Sequence, residues 1–292
     1  MATPKIIMIL GLLLLCYRGA DVAAQTIDEI PVGDNIYEKT LRKQILPPPL
    51  QHVRESDVIW SSMIWRTIDM REKFNQFFYF PTEKEGVDGR KNIAYTIWDA
   101  IVSGEIPIYE DDELKIPLDN DAFLQQYTKI DTVILEIEDD DENYEYQTVL
   151  VPREFLSDEI FQIRLKEVWF IDKQADRQLI RYIGMALTQD IYKEYNGELE
   201  FTNRITLCWI PMQSFAVRTL LERHEAYYED NIAHLPSWRQ ILESRRYDSF
   251  INRESNRMNR SISDYLTGID AILESERIET KLLDISSDMW EY

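Results

Sequence analysis

Few residues in this sequence have the types and spacing of catalytic or metal chemistry. Glu167 stands out, because it interrupts an apolar strand face between Leu165 and Trp169. A carboxylate buried there would hold its proton more tightly and could act as a general acid. The competing reading is an ion pair, with Arg181 on the next strand as partner. The three histidines, His52, His224 and His234, have no partner at metal-ligand spacing. His224-Glu225-Ala226-Tyr227-Tyr228 begins like a zinc-binding HExxH helix, but Tyr228 replaces the second ligand. Asp119-Asn120-Asp121 lacks the glycine and closing glutamate of a calcium loop, so a helix cap accounts for it better. Asp139 to Glu142 could hold calcium loosely, although an acidic run between two strands is usually just solvated. With only nine glycines the chain has no GxGxxG, no phosphate-cradling loop and no GxSxG turn. We expect no catalytic residue, no metal and no cofactor.

The elements that carry these residues follow from periodicity. From Asp131 the pattern has period two: Thr132–Ile137 and Tyr144–Val151 read as a hairpin, and Phe161–Ile171 with Leu179–Leu187 as a second. The Leu179–Leu187 strand is apolar on both faces apart from Arg181, which places it centrally, and Arg204–Met212 adds a further strand. Asn92 caps a helix bearing Ile93, Ile97, Trp98 and Ile101, with Gly104 as its left-handed stop, and Asp119 caps a shorter one. Gln213–Tyr228 and Pro236–Tyr247 are predicted helical. In Ile269–Trp290 the residues Ala271, Ser275, Ile278, Leu282, Ile285 and Met289 form a narrow helical seam. Packing of that seam within the chain is favoured over packing between subunits.

At 100° per residue, Asp57–Pro81 places Ile59, Trp60, Met63, Ile64, Ile68, Met70 and Phe74 on one sector, which predicts an amphipathic helix. Trp65 and Val58 then project on its polar side. Cover from elsewhere in the chain is the simpler account of Trp65, with a partner contact as the alternative. Arg71 falls within the apolar sector and must find a carboxylate or several carbonyls. The predicted fold is α+β: a mainly antiparallel sheet built from hairpins, flanked by N-terminal and C-terminal helices.

Residues 1–24 read as a secretory signal peptide: a basic start, the apolar run Ile6–Leu15, and Val22-Ala23-Ala24 before Gln25. That run falls well short of the roughly 20 residues a permanent membrane anchor needs. Residues 25–55 form an extended arm stiffened by Pro47-Pro48-Pro49, and 56–292 a single α+β domain with a helical C-terminal part. Loss of the leader removes Lys5, Arg18 and Asp21, taking the formal charge from −21 to −22. So acidic a chain repels nucleic acid and anionic lipid, and suits basic protein partners or divalent cations. Cys208 would be the one cysteine left, so no internal disulfide supports the fold.

Several blocks carry a family resemblance. DVIWSSMIWRTIDMREKFNQFFYFP, IWDAIVSGEIPIYEDDE, LKEVWFIDKQADRQLIRYIGMA and the run from Tyr247 to Trp290 resemble, in order, blocks of the gliding motility-associated GldN family, called PorN in non-gliding relatives. The resemblance covers most of the chain beyond the leader. One departure is LCWIPMQ, which stands where the family has a more aromatic run. The resemblance implies a non-enzymatic periplasmic component of the type IX secretion system. It would join an outer-membrane lipoprotein, GldK/PorK, in a ring beneath the outer membrane and engage the periplasmic part of the GldL/GldM motor complex. Seven Trp, sixteen Tyr and eleven Phe fit a protein that assembles. Trp65, Val58, Trp290, Leu282 and Ile285 are the expected partner-binding residues. Two other readings are a periplasmic hydrolase using Glu167 or the acidic loops with a metal, and a glycan-binding module.

Overall fold

The computed structural model describes residues 46–87, 89–127, 130–138, 144–152, 154–195, 198–227 and 235–288. The leader, the arm up to Ile45, the acidic run Asp139–Glu142, Met289 and Trp290 lie outside these residues.

The centre of the fold is a meander in which three long strands pair antiparallel: β6 (Ile160–Asp172), β7 (Arg177–Tyr195) and β8 (Glu198–Pro211). The apolar run in β7 therefore does sit centrally, paired with β6 along its length and with β8 from Gly184 onward. The 12-residue strand β1 (Val58–Asp69) pairs with β6 on one side and with β9 (Phe250–Glu254) on the other. At the opposite end, β2 (Ile108–Tyr109) joins β8 and β3 (Pro117–Leu118) closes the sheet in the order β3-β2-β8-β7-β6-β1-β9. The other predicted hairpin, β4 (Ile130–Glu138) with β5 (Tyr144–Pro152), forms a separate two-stranded sheet.

β1 corrects the reading of Asp57–Pro81 as a helix. Ile59, Met63 and Phe74, assigned to the helix's buried sector, are 67%, 44% and 56% exposed. Ser62, Ile64, Arg66, Ile68 and Met70 are buried at a period of two, with Thr67 also buried from the other face. Beyond β1, the 3-10 turn Lys73–Asn75 and helix α1 (Gln76–Tyr79) are the helical parts of that stretch.

Helix α2 (Ile93–Val102) begins as its sequence requires: Asn92 Oδ1 accepts from Tyr95 N at 2.8 Å, and Gly104 takes φ +68° just past the end. Asp119 likewise caps α3 (Asn120–Tyr127), accepting from Ala122 N at 3.1 Å. Two predicted helices prove shorter, as α4 (Phe215–Arg223) and α5 (Trp238–Glu243), the latter closed by a Ser237/Gln240 capping box. The last is α6 (Ile269–Asp288).

Cross-strand partners place Ile68, Ile163 and Leu187 on one face, as they do Arg66, Leu165 and Met185, and again Ile64, Glu167 and Tyr182. A bulge at Ile183 keeps Tyr182 and Met185 on the same side of β7. The larger core cluster, Ile68, Ile163, Leu165 and Met185 with Phe78, Ile97, Leu220 and Trp238, packs α1, α2, α4 and α5 against one end of this face. A smaller cluster of Ile64, Trp169, Ile251, Ile262, Ile278 and Leu282 seats α6 against the other. Glu167 and Arg66 lie at the junction of the two.

Candidate functional site

Glu167 is fully buried, and its carboxylate is saturated by donors from its own chain. Trp169 Nε1 donates to Oε2 at 2.8 Å, Arg245 Nη1 reaches both oxygens at 3.1 and 3.2 Å, and Tyr247 OH reaches Oε1 at 3.4 Å. Arg66 Nε completes the group at 3.4 Å. The ion-pair reading of Glu167 is thus borne out with different partners. Arg181 instead donates from Nη2 to the carbonyl of Gln51 at 2.7 Å. Arg66 also donates to Glu279 of α6 at 3.1 Å, so the charged group ties the last helix to the sheet. Burial, followed by the field of Glu167, pushes the Tyr182 phenol up to about 12, and burial carries Tyr247 well above its ordinary value. Burial works against the charge on Arg245, but Tyr247 and Glu167 more than offset it and hold the guanidinium above its usual range. Tyr182, Tyr247 and Arg245 are thus all shifted toward their protonated forms.

The partner residues Arg66, Arg245 and Tyr247 were not legible as a group. Arg66 lies in the stretch read as a helix, and Arg245 comes from a loop where it adopts φ +52°. The signal was Glu167 itself, a lone acid in an apolar strand.

Trp65 points to the face opposite the helices. Its Nε1 donates to Asp112 Oδ2 at 2.8 Å, and the Arg253 guanidinium carbon lies 3.5 Å from the ring centroid, with Lys166 Nζ at 5.3 Å. Arg253 and Lys166 both lean on the same loop, through Asp112 Oδ2 at 2.7 Å and the Asp112 carbonyl at 2.6 Å. Burial lowers the Lys166 ammonium from its ordinary value. Trp65 is half-buried, so its own chain covers part of the ring and leaves part open. Arg71 does find a carboxylate, donating to Asp69 from Nε at 2.9 Å and Nη2 at 2.6 Å, but on the surface.

Of the other expected partner residues, Val58 is half-buried at the start of β1 and Ile285 is half-buried on α6. Leu282 is completely buried beside Ile278, in keeping with packing of the seam within the chain. Trp290 lies outside the described residues. The opposite side of α6 was missed: Ile269, Ile272, Leu273 and Leu283 are 75%, 60%, 55% and 58% exposed. At 100° per residue these four fall within a 100° sector on the side away from the buried seam, with Glu276 and Thr280 in the same sector between Leu273 and Leu283. α6 therefore carries apolar residues on two sides.

Among the described residues there is no group of three or more His, Cys, Asp or Glu placed to hold a metal ion, and no helix is long and apolar enough to cross a membrane. His224 ends α4 as its C-cap, where burial lowers its pKa.

An antiparallel sheet with helices on one face, locked by a buried ionic junction and ending in a long helix, defines an α+β protein. The chain belongs to the family described as gliding motility associated protein GldN, whose model matches residues 53–291. Membership makes it a component of the gliding-motility and type IX secretion machinery. No curated protein matches the chain.

Proposed function

We propose that this chain is a non-catalytic structural subunit of a periplasmic ring, binding an outer-membrane lipoprotein of the GldK/PorK kind and further copies of itself. The observation that carries the reading is the outer side of α6. Ile269, Ile272 and Leu273 form an exposed apolar patch at the start of the helix, and Leu283 adds an exposed apolar side chain to the same sector beyond Glu276 and Thr280. Burial of four such side chains at an interface would contribute about 1.5–3 kcal/mol each before the cost of association. Val58, Trp65 and Ile285 are further partner-contact residues in this reading, each with part of its surface open, and Trp290 continues the sequence beyond α6. Leu282 supports the contact from beneath. The acidic charge keeps free copies apart until a partner neutralises it.

Co-expression of the leader-bearing chain with its lipoprotein partner tests this directly. One co-eluting assembly, much larger than either chain, is expected. Separate elution of the two would remove the reading's main support. Ile272→Glu with Leu273→Glu should abolish the assembly while moving stability by no more than about 0.5 kcal/mol, because both positions are on the surface.

A further inference from the structure

The end of β7 is uncovered on one side. Pairing with β8 begins at Gly184↔Pro211, so Arg177–Tyr182 has no strand beside it there, and the chain leaves through Met212 into α4. A cleft of about 610 Å³ opens between this edge and α4 and α5. Five arginines line it, Arg177, Arg181, Arg218, Arg239 and Arg245, in a chain of net charge −21. Arg239 is paired with Glu222 and Glu243, and Arg245 with Glu167. Arg181 and Arg218 have no carboxylate partner among the described residues. They donate instead to main-chain carbonyls of the arm, Arg181 to Gln51 and Arg218 to Pro48.

We propose that this groove is a receptor for the extended segment Pro47–Gln51, and that in the assembled state it takes that segment from a second copy of the chain. Capture through carbonyls reads backbone shape instead of side-chain charge. A run of prolines suits it, since proline presets the extended form and brings no N–H to compete for the acceptors. Pro48, Leu50 and Gln51 line the cleft, and Leu46 and Leu50 are 65% and 43% exposed.

The bonds that hold the segment are indifferent to which copy supplies it. Among the described residues, no main-chain hydrogen bond joins residues 46–53 to a strand. The link to β1 is His52–Arg54 followed by one 3-10 turn, Glu55–Asp57. Re-aiming that link exchanges the arm while the guanidinium–carbonyl bonds re-form unchanged, and a neighbour held in an assembly presents its groove at high effective concentration. The inference rests on the self-association proposed above.

A benzophenone amino acid in place of the exposed Leu50 tests it in the full mature chain. Two versions carrying tags of different mass are mixed, assembled with the lipoprotein and irradiated. Cross-links from one copy's residue 50 to another copy's residues 177–182 or 238–245 are expected. Arg181→Ala with Arg218→Ala should lower their yield about ten-fold, equivalent to about 1.4 kcal/mol. An assembled fraction in which every cross-link stays within one copy would overturn the exchange and leave the assembly standing. Absence of any assembled fraction would overturn both.

Discussion

Arg66 on β1 and Glu167 on β6 face each other with Nε 3.4 Å from Oε2, and the two side chains are 1% and 0% exposed. Two charges removed this completely from water are costly to bury, and their attraction is worth having only if the rest of each group is also engaged. Glu167 meets that condition through Trp169, Arg245 and Tyr247. Arg66 meets it in part: Nη1 reaches Glu279, whereas Nη2 has no hydrogen-bond partner and Nε meets Glu167 as an ion pair without a hydrogen bond. The pair sits where the two apolar clusters meet, so it fixes how α6 is seated relative to the rest of the sheet.

Replacing Glu167 with Gln should therefore destabilise the chain by about 3–5 kcal/mol, because Arg66 is left buried without a counter-charge. Arg245, a quarter exposed, can rehydrate, so Arg66 carries most of the loss. Urea unfolding measures the effect. The double variant Arg66→Met with Glu167→Leu should recover most of the stability. If the single variant unfolds at the wild-type midpoint, the junction is not sealed as described.

Ser275 makes the second tie between α6 and the sheet. Its Oγ accepts from Ile251 N at 2.7 Å, which satisfies an edge-strand donor of β9 that has no strand to pair with. Ser275→Ala leaves that donor buried and unmatched, at a cost of about 1–3 kcal/mol. Hydrogen exchange at Ile251 should quicken by one to two orders of magnitude, about the factor that free-energy loss implies, while amides in β6 and β7 keep their protection.

The α+β class, the hairpins and the helix caps were legible because each depends on local chemistry. β6 alternates polar with apolar residues up to a turn at Asp172–Arg177, β7 carries an apolar run interrupted by Arg181, and Asn92, Gly104 and Asp119 act within their own segment. β1 was not legible for a physical reason. A strand flanked by β6 and β9 and covered on parts of both faces loses clean alternation, and the apolar residues Met70 and Phe74 beyond its end completed an apparent 3.6-residue period. The weight of β-branched and aromatic residues in Val58–Ile68 was the better guide. The Glu167 ion pair was legible as a need but not as an address, since Arg66 and Arg245 are brought to it only by the tertiary fold.

Trp65 is attached at two points, the indole N–H to Asp112 and the ring face to Arg253. Trp65→Ala should cost about 2 kcal/mol by losing both, and Trp65→Phe about 1 kcal/mol by losing only the hydrogen bond. Thermal unfolding ranks the three proteins. An unchanged melting temperature in the alanine variant, accompanied by weaker assembly, would make the open part of the ring the important one.

Cys208 gives an alkaline signature. Its thiol is buried in the main core cluster, and burial pushes its pKa from 9.0 up to about 12. Below pH 9 the thiol is protonated in both states and its contribution is complete. As pH rises from 9 toward 12, the unfolded chain ionises first and the folded state loses ground, by up to about 1.4 kcal/mol per pH unit. Tyr182, raised from 10.0 to about 12 chiefly by burial, adds a second loss of the same sign above pH 10. Cys208→Ala removes the first contribution and keeps the second. Its stability should therefore fall less steeply than the wild type between pH 9 and 10, with the two slopes differing by about 1 kcal/mol per unit, and the added fall from Tyr182 should appear in both proteins above pH 10. Parallel slopes from pH 9 upward would mean that the thiol titrates as it does in water, and that β8 does not seal it.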